Sequence, residues 1–407
     1  MSTPVYRFVS CSLHRLLLRV LLATLVAGVL PAAAGAAPFV PTSDQQVLER
    51  LPARAADPRQ RELRALREQW RGAPDDAATA VRLARRYVEE AGTEGDPRYV
   101  GYAQAALAPW WTQADPPVDV RVQRAVLRQY GHEFDAALAD LAAATAAEPR
   151  NAEAWSWQVA IRLVRTDYPG ARQACEQLAA LAEPLVGAAC RAQLDALTGR
   201  AGPAADTLRT ALRASAAAEP ALRLWALTRL AEIEVQRGRH AEAEAVFREA
   251  LALGLPDVYL ESAYADFLLD RGRAAEVIER LRGRERSDLL LLRLAIAGKL
   301  TTSPKAAEWR QALAARFDAA RLRGDALHQK EEARFALAVL GETKRALELA
   351  RTNYTLQREP ADARVLLEAA VASRDAAAAE PVLRWMEANQ VENVTLRALA
   401  AQLKARS

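Results

Sequence analysis

The feature that most constrains the fold of this chain is a triplet of residues that recurs about every 34 positions. Each triplet has alanine, a larger apolar residue and a further small or apolar residue at positions i, i+4 and i+7, which lie on one face of a helix. The first members of the five clearest triplets are separated by 34, 34, 33 and 39 residues. These triplets are Ala103/Leu107/Trp110, Ala137/Leu141/Ala144, Ala171/Cys175/Leu178, Ala204/Leu208/Ala211 and Ala243/Phe247/Ala250. Weaker copies follow at Val277/Leu281, Leu313/Phe317/Ala320, Ala346/Ala350 and Ala378/Val382/Trp385. A repeat of this length predicts a solenoid of stacked helical pairs.

The segment LWALTRLAEIEVQRGRHAEAEAVFREALALGLPD, residues 224–257, shows how one unit is built. A first amphipathic helix is predicted to end at Gly238, because glycine adopts the left-handed turn conformation at low cost. A second helix is predicted from His240 to Leu253, and Pro256 marks the break before the next unit. Two helices approach closely only where one presents Ala or Gly, so we expect the bulky Phe247 to fill the adjoining groove.

These units resemble the tetratricopeptide repeat, whose pattern has Trp, Leu, Gly/Ala and Tyr on the first helix and Ala, Phe/Tyr, Ala and Pro on the second. The matching positions are Leu230, Ala231, Gly238, Ala243, Phe247 and Ala250, with Ala137, Pro149, Trp155 and Ala171 in the preceding units. The resemblance covers roughly residues 74–390, with a one-residue slip near His132 and a degenerate unit at 287–324. It implies an all-α fold, a right-handed α-solenoid of about nine antiparallel helix pairs in which each unit contacts only its neighbours.

The composition agrees with an all-α fold, because strong helix formers (Ala, Leu, Arg and Glu) are abundant and no β-branched run alternates with period two. The predicted regions are a signal peptide at 1–36, a linker and capping helix at 37–73, the repeat array at 74–390 and a C-terminal capping helix at 391–407. Within the second and last regions, helices are predicted at Arg59–Arg71 and at 392–405.

The first residues have the layout of a secretory signal: three arginines without acids, the apolar run LLATLVAGVL and the small-residue stretch PAAAGAAP. Cleavage is predicted after Ala36, with Ala34 as the second choice. This layout, together with an excess of Arg over Lys that is typical of a GC-rich bacterial genome, predicts a periplasmic protein. The alternative is an uncleaved segment that anchors the chain in the inner membrane.

The charge pattern gives no indication of nucleic-acid binding. The whole chain has a formal charge of +4, and removal of residues 1–36, with three arginines and no acids, leaves about +1. The remaining charges are interleaved along predicted helices, without a Lys/Arg block. We therefore expect protein partners, no nucleic acid, and contact with the membrane only through the N-terminal segment.

The sequence contains no motif for catalysis, metal binding or cofactor binding. Beyond the signal, the histidines are His132, His240 and His328, which belong to distant units. No H-E-x-x-H, C-x-x-C, phosphate-binding glycine loop or G-x-S-x-G occurs. We expect a chain that is not an enzyme and that has no metal or cofactor.

Cys175 and Cys190 lie at similar distances on either side of a predicted turn at Glu183–Pro184. Antiparallel packing of the flanking helices would bring them together, and an exported protein can form a disulfide there. The alternative is that both are small apolar residues at packing positions.

In tetratricopeptide arrays the first helices form most of the concave wall, and aromatic residues and Arg often anchor interfaces. The resemblance therefore implies a partner-binding groove with the candidates Trp157, Trp225, Arg229, Glu232, Tyr259 and Asp266. Some of them, Trp157 above all, could instead fill space between helices. Thr228, Ser262 and Glu232 occupy positions where the variant that grips chaperone tails needs Lys and Asn, so that partner class is not expected.

The sequence thus predicts a non-catalytic, exported scaffold for protein–protein interaction, of the kind that serves envelope assembly, secretion or polysaccharide export. The alternative is an accessory module that binds carbohydrate or cell-wall polymers through an aromatic groove.

Overall fold

A computed structural model of the chain describes residues 58–322 and 329–406, which belong to one unit that begins at Pro58. Every regular element within these residues is a helix. The predicted signal peptide, the linker as far as Asp57, and His328 lie outside the described residues.

The first ten helices are α1 (Pro58–Gly72), α2 (Ala77–Glu94), α3 (Arg98–Ala106), α4 (Val118–Tyr130), α5 (Phe134–Ala147), α6 (Ala152–Val164), α7 (Tyr168–Leu181), α8 (Pro184–Leu197), α9 (Ala201–Ala214) and α10 (Pro220–Gln236). The remaining ten are α11 (His240–Ala252), α12 (Val258–Asp270), α13 (Ala274–Arg280), α14 (Asp288–Leu300), α15 (Ala306–Leu322), α16 (Gln329–Phe335), α17 (Thr343–Leu356), α18 (Pro360–Ser373), α19 (Glu380–Ala388) and α20 (Val394–Arg406). A 3₁₀ turn at Ala108–Trp110 extends α3, a π-helical turn at Ala336–Leu340 extends α16, and a 3₁₀ turn at Ala377–Ala379 precedes α19.

Consecutive helices form hairpins, with the first helix of each unit even-numbered (α2 to α18) and the second odd-numbered (α3 to α19). Helix α1 packs against the first unit, and α20 packs against α18 of the last. The predicted all-α array of antiparallel helix pairs is confirmed. The segment predicted to be a degenerate unit forms the ordinary pair α14 and α15. The stretch GTEGDP, expected as a turn, is helical as far as Glu94 because Gly95 supplies the left-handed cap.

The recurring triplets explain how the pairs pack. All nine lie on the second helices of the units or on the 3₁₀ turns beside them. Ala243, Phe247 and Ala250 are almost completely buried, and so are the corresponding residues of the other triplets apart from the partly buried Ala211. The Phe247 ring lies 5.4 Å from that of Tyr264 and 5.8 Å from that of Phe267, centroid to centroid. A small residue on either side of a large one thus lets the next unit dock closely.

The hairpin turns share one backbone feature, a residue in the left-handed conformation between the first and second helices. The residues and their φ angles are Gly95 (66°), His132 (58°), Thr166 (60°), Gly199 (77°), Gly238 (74°), Gly272 (71°), Thr302 (50°), Gly341 (77°) and Arg374 (55°). In the unit where the sequence pattern slips by one residue, His132 rather than Gly131 adopts this conformation. The backbone geometry is therefore kept even where glycine is absent.

The C-terminal units pack against the middle of the array. The Trp385 indole nitrogen on α19 donates a 2.9 Å hydrogen bond to the Tyr168 hydroxyl on α7, and both side chains are buried. Burial raises the pKa of Tyr168 to about 12, against the opposing effect of the Trp385 hydrogen bond. The Glu392 carboxylate accepts from the Ala201 backbone at the start of α9, at 2.7 Å. The expectation that each unit contacts only its neighbours is wrong here, because residues of α6 to α8 share one apolar cluster with residues of α16 to α20.

Cys175 on α7 and Cys190 on α8 are joined by a disulfide, with their Cα atoms 6.0 Å apart. The turn at Glu183–Pro184 folds the two helices against each other and brings the thiols together. Both cysteines are also buried in the apolar cluster, so the two sequence interpretations coexist at this position.

Candidate partner-binding cleft

A surface hollow of about 220 Å³ lies where α10 meets the connection from α11 to α12. We call it the Trp225 cleft. Its lining comes from α10 (Ala221, Leu224, Trp225, Thr228 and Arg229), from the connection (Leu255, Pro256 and Asp257) and from α12 (Tyr259). Three of the six groove residues predicted from the sequence, Trp225, Arg229 and Tyr259, therefore lie together.

Local sequence explains why the cleft has this form. Glu219 caps α10, its carboxylate accepting from the Ala221 backbone at 2.8 Å, and Pro220 follows at the first helical position. Asp257 caps α12 in the same way, accepting from the Leu260 backbone at 2.7 Å. Pro256, which cannot continue a helix, holds the connection between them extended. The two caps thus fix both walls of the cleft.

Arg229, Glu232 and Tyr259 form a connected network at one end of the cleft. The Arg229 guanidinium lies over the Tyr259 ring, 4.5 Å from its centroid, and forms an ion pair of 3.1 Å with Glu232. The Tyr259 hydroxyl donates a 2.5 Å hydrogen bond to the same carboxylate. Burial alone would lower the pKa of Arg229, but Glu232 and Tyr259 raise it, so the guanidinium stays charged. Glu232, a predicted groove residue, thus orients the two side chains that line the cleft.

Charged residues from units far along the chain lie close to this network. Burial alone would lower the pKa of Lys330 on α16, but Asp362, Glu331 and Glu359 raise it. Its ammonium lies 3.6 Å from the Asp362 carboxylate. Burial and Asp362 raise the pKa of Glu359, with Lys330 and Arg229 opposing. The start of α18 therefore brings further carboxylates close to Arg229.

Asp266, another predicted groove residue, is engaged in ion pairs one turn and more beyond the cleft on α12. Its carboxylate lies 2.6 Å from Arg293 on α14 and 2.8 Å from Arg334 on α16. Burial alone would raise the pKa of Asp266, but these guanidinium groups lower it below its usual 3.8. The structure therefore places Asp266 in contacts between units rather than in the cleft lining.

Trp157, the sixth predicted residue, does not lie with the others. It is half-buried on α6 and packs against the apolar cluster of α4, α5 and α6 that contains Phe134 and Leu141. The Thr228 hydroxyl donates to the Leu224 carbonyl at 2.8 Å, and Ser262 is buried on α12. Neither hydroxyl offers the cationic or amide group that a chaperone-tail clamp needs.

The sequence reasoning missed two sets of residues around the cleft. Leu255 and Asp257 lie in the connection, and the motif LPD after a helical pattern could have indicated a cap with an exposed apolar neighbour. Lys330 and Glu359 carry no local signal, because only the packing of α16 and α18 against α12 brings them here.

Within residues 58–322 and 329–406, no group of three His, Cys, Asp or Glu side chains could hold a metal ion. In the same part of the chain, no helix is long and apolar enough to cross a bilayer. His240 begins α11 and lies against Phe267, with ring centroids 6.3 Å apart. His132 forms one of the left-handed turns.

No family model matches the sequence, and no curated protein is significantly similar to it. Among solved structures, a tetratricopeptide repeat protein from Parabacteroides merdae matches with 14% identity and a TM-score of 0.35, over 70% of this chain and 98% of that one. The tetratricopeptide repeat domain of P58(IPK) matches with 14% identity and a TM-score of 0.20, over 86% and 94%. Both have the repeat type that the sequence resembles. The fold assignment itself rests on the helix pairs described above.

Proposed function

We propose that this chain is a non-catalytic scaffold that binds a protein partner at the Trp225 cleft. The observation that supports the proposal most is the exposure of large apolar side chains there, since Tyr259 is 50% and Leu255 39% exposed. Contiguous apolar surface in a folded protein commonly marks an interaction site. The two helix caps and the Arg229–Glu232 ion pair hold this surface in place before a partner binds.

Site-specific photo-crosslinking in cells tests this proposal. A photoreactive phenylalanine analogue placed at Leu255 is expected to give a discrete protein adduct, which the additional change Trp225→Ala removes. Leu300 is 64% exposed and lies on α14, away from the cleft, so the same analogue at Leu300 is the matched control. Equal adducts at both positions would contradict a partner site at the cleft.

We further propose that the chain is exported to the periplasm and serves a machine for envelope assembly, secretion or polysaccharide export. The layout of residues 1–36 and the Cys175–Cys190 pair support export. N-terminal sequencing of protein from the periplasmic fraction tests it, with a chain start at Pro38 or Ala37 expected. An intact N-terminus in the inner-membrane fraction would instead support the anchored alternative.

A second candidate function is the binding of carbohydrate or cell-wall polymers. Trp225 and Tyr259 line one hollow, and paired aromatic rings can stack on sugar rings. Titration with soluble glycan fragments distinguishes the candidates. A saturable change in tryptophan fluorescence that Trp225→Ala abolishes would favour the glycan, and an unchanged signal would favour a protein partner.

A further inference from the structure

The charges around the Trp225 cleft are unbalanced. Arg229 and Lys330 are the basic groups of its network, and each is already paired with a carboxylate, Arg229 with Glu232 and Lys330 with Asp362. The guanidinium of Arg358, next along the chain, donates to the Tyr354 carbonyl at 3.3 Å. Acidic groups remain in excess in and beside the cleft: Glu232, Asp257, Glu331, Glu359 and Asp362.

The acidic groups are fixed by the helices that carry them. Glu359 caps α18 in a capping box, and the Asp362 carboxylate accepts from the Glu359 backbone at 2.9 Å and from the Asn353 amide at 2.9 Å. Asp257 is fixed by its cap on α12. Because these carboxylates cannot move apart to reduce their mutual repulsion, a cation that enters gains from all of them.

The apolar part of the cleft complements these charges. One wall is formed by Leu224 and Trp225, and the exposed Leu255 and Tyr259 are at the opening. A hollow of about 220 Å³ has room for a single large side chain and is much smaller than a drug-sized ligand site. Its dimensions suit one anchoring side chain of a polypeptide.

From these observations we propose that the Trp225 cleft takes a cationic segment of its protein partner, with one apolar side chain in the hollow and a Lys or Arg side chain beside Glu359. This inference rests on the proposed scaffold function and specifies the chemistry of the partner. The raised pKa of Glu359 agrees with it, since an uncompensated cluster of carboxylates gains most from an added cation.

Peptide selection on the full chain tests the inference. A phage-displayed library of random dodecapeptides is selected on immobilised wild-type protein, and in parallel on Leu255→Ser. Leu255 is exposed, so this variant keeps the fold, which circular dichroism verifies. Peptides recovered on the wild type but not on the variant are expected to have net positive charge and to place Lys or Arg near a large apolar residue. Such peptides without a positive bias would overturn the inference while leaving the scaffold function standing. If no peptide depends on Leu255, the scaffold function at this cleft itself fails.

A charge variant then tests the position of the cation. Fluorescence polarisation of a selected, labelled peptide is expected to show about fivefold weaker binding to Glu359→Gln, and a smaller loss of affinity on addition of salt. Glutamine keeps an acceptor oxygen for the cap on α18. Glu308→Gln, an exposed acid on α15, removes the same charge elsewhere and is the matched control. Equal affinity for Glu359→Gln and wild type would show that the cation does not lie beside Glu359.

Discussion

Arg364 on α18 forms a bidentate ion pair with Asp270 at the end of α12, with both N–O distances 2.6 Å. These residues are 94 positions apart, so the pair joins units that are not neighbours in the chain. Together with the Trp385–Tyr168 hydrogen bond and the shared apolar cluster, it shows that the array is closed by contacts between its C-terminal units and its middle. This closure distinguishes the chain from a solenoid in which only adjacent units touch.

The close packing of second helices predicts a large cost for truncating Phe247. The ring is 1% exposed and contacts two aromatic residues of α12, so Phe247→Ala is expected to lower the free energy of unfolding by about 3–5 kcal/mol. Urea unfolding followed by circular dichroism measures it. Leu356→Ala, at a residue that is 41% exposed, should change stability by less than about 0.5 kcal/mol. A similar cost for both variants would mean that Phe247 does not fill the groove between helices.

The left-handed turns predict opposite effects of glycine at two positions. Thr166 has a φ of 60°, which is strained for a β-branched residue, so Thr166→Gly is expected to stabilise the protein by about 1 kcal/mol. Gly272 has a φ of 71° and no heavy atom within 4 Å of a built Cβ, so Gly272→Ala adds strain alone. It should destabilise by about 1 kcal/mol. Thermal unfolding of both variants tests the pair, and a shift of the same sign in both would contradict the shared turn geometry.

These examples show which parts of the fold could be predicted from sequence. The second helices were predictable because Ala243, Phe247 and Ala250 repeat with helical spacing. Pairs such as Arg364–Asp270 were not predictable, because they depend on how many units lie between them and on small rotations at each interface, and neither leaves a local pattern. At the candidate site, Trp225, Arg229 and Tyr259 could be identified as a set because they lie on adjacent first helices. The surrounding Lys330 and Glu359 could not, since their units reach the cleft only through closure.

The ion pairs of Asp266 predict a loss of stability in acid. The folded pKa of this carboxyl is lowered below the 3.8 that it has when exposed, so its stabilising contribution is complete above that pH and is lost as the pH falls further. Asp266→Asn removes this titration and should give a shallower decline of the unfolding free energy between pH 4 and pH 2, measured by urea unfolding. The raised pKa of Glu359 acts in a separate window, since its contribution is present below the usual value of 4.5 and declines as the pH rises above it. Identical acid declines for variant and wild type would contradict the Asp266 contacts.

The disulfide predicts a definite thiol count. In the unfolded, non-reduced full-length chain, only Cys11 should react with a thiol reagent, and all three cysteines should react after reduction. Because the bridge closes a loop with a sequence separation of 15, its loss in Cys175→Ala/Cys190→Ala is expected to cost about 3 kcal/mol. Three reactive thiols before reduction would show that the cysteines are only packed together.

A charge exchange between α12 and α18 tests the closed array most directly. Asp270→Arg and Arg364→Asp each place like charges opposite each other and should lower the midpoint of thermal unfolding, whereas the double variant restores an ion pair and should recover at least half of the combined loss. This recovery is the result that closure predicts. Losses that simply add in the double variant would show that the two helices do not meet in solution, and would contradict the account.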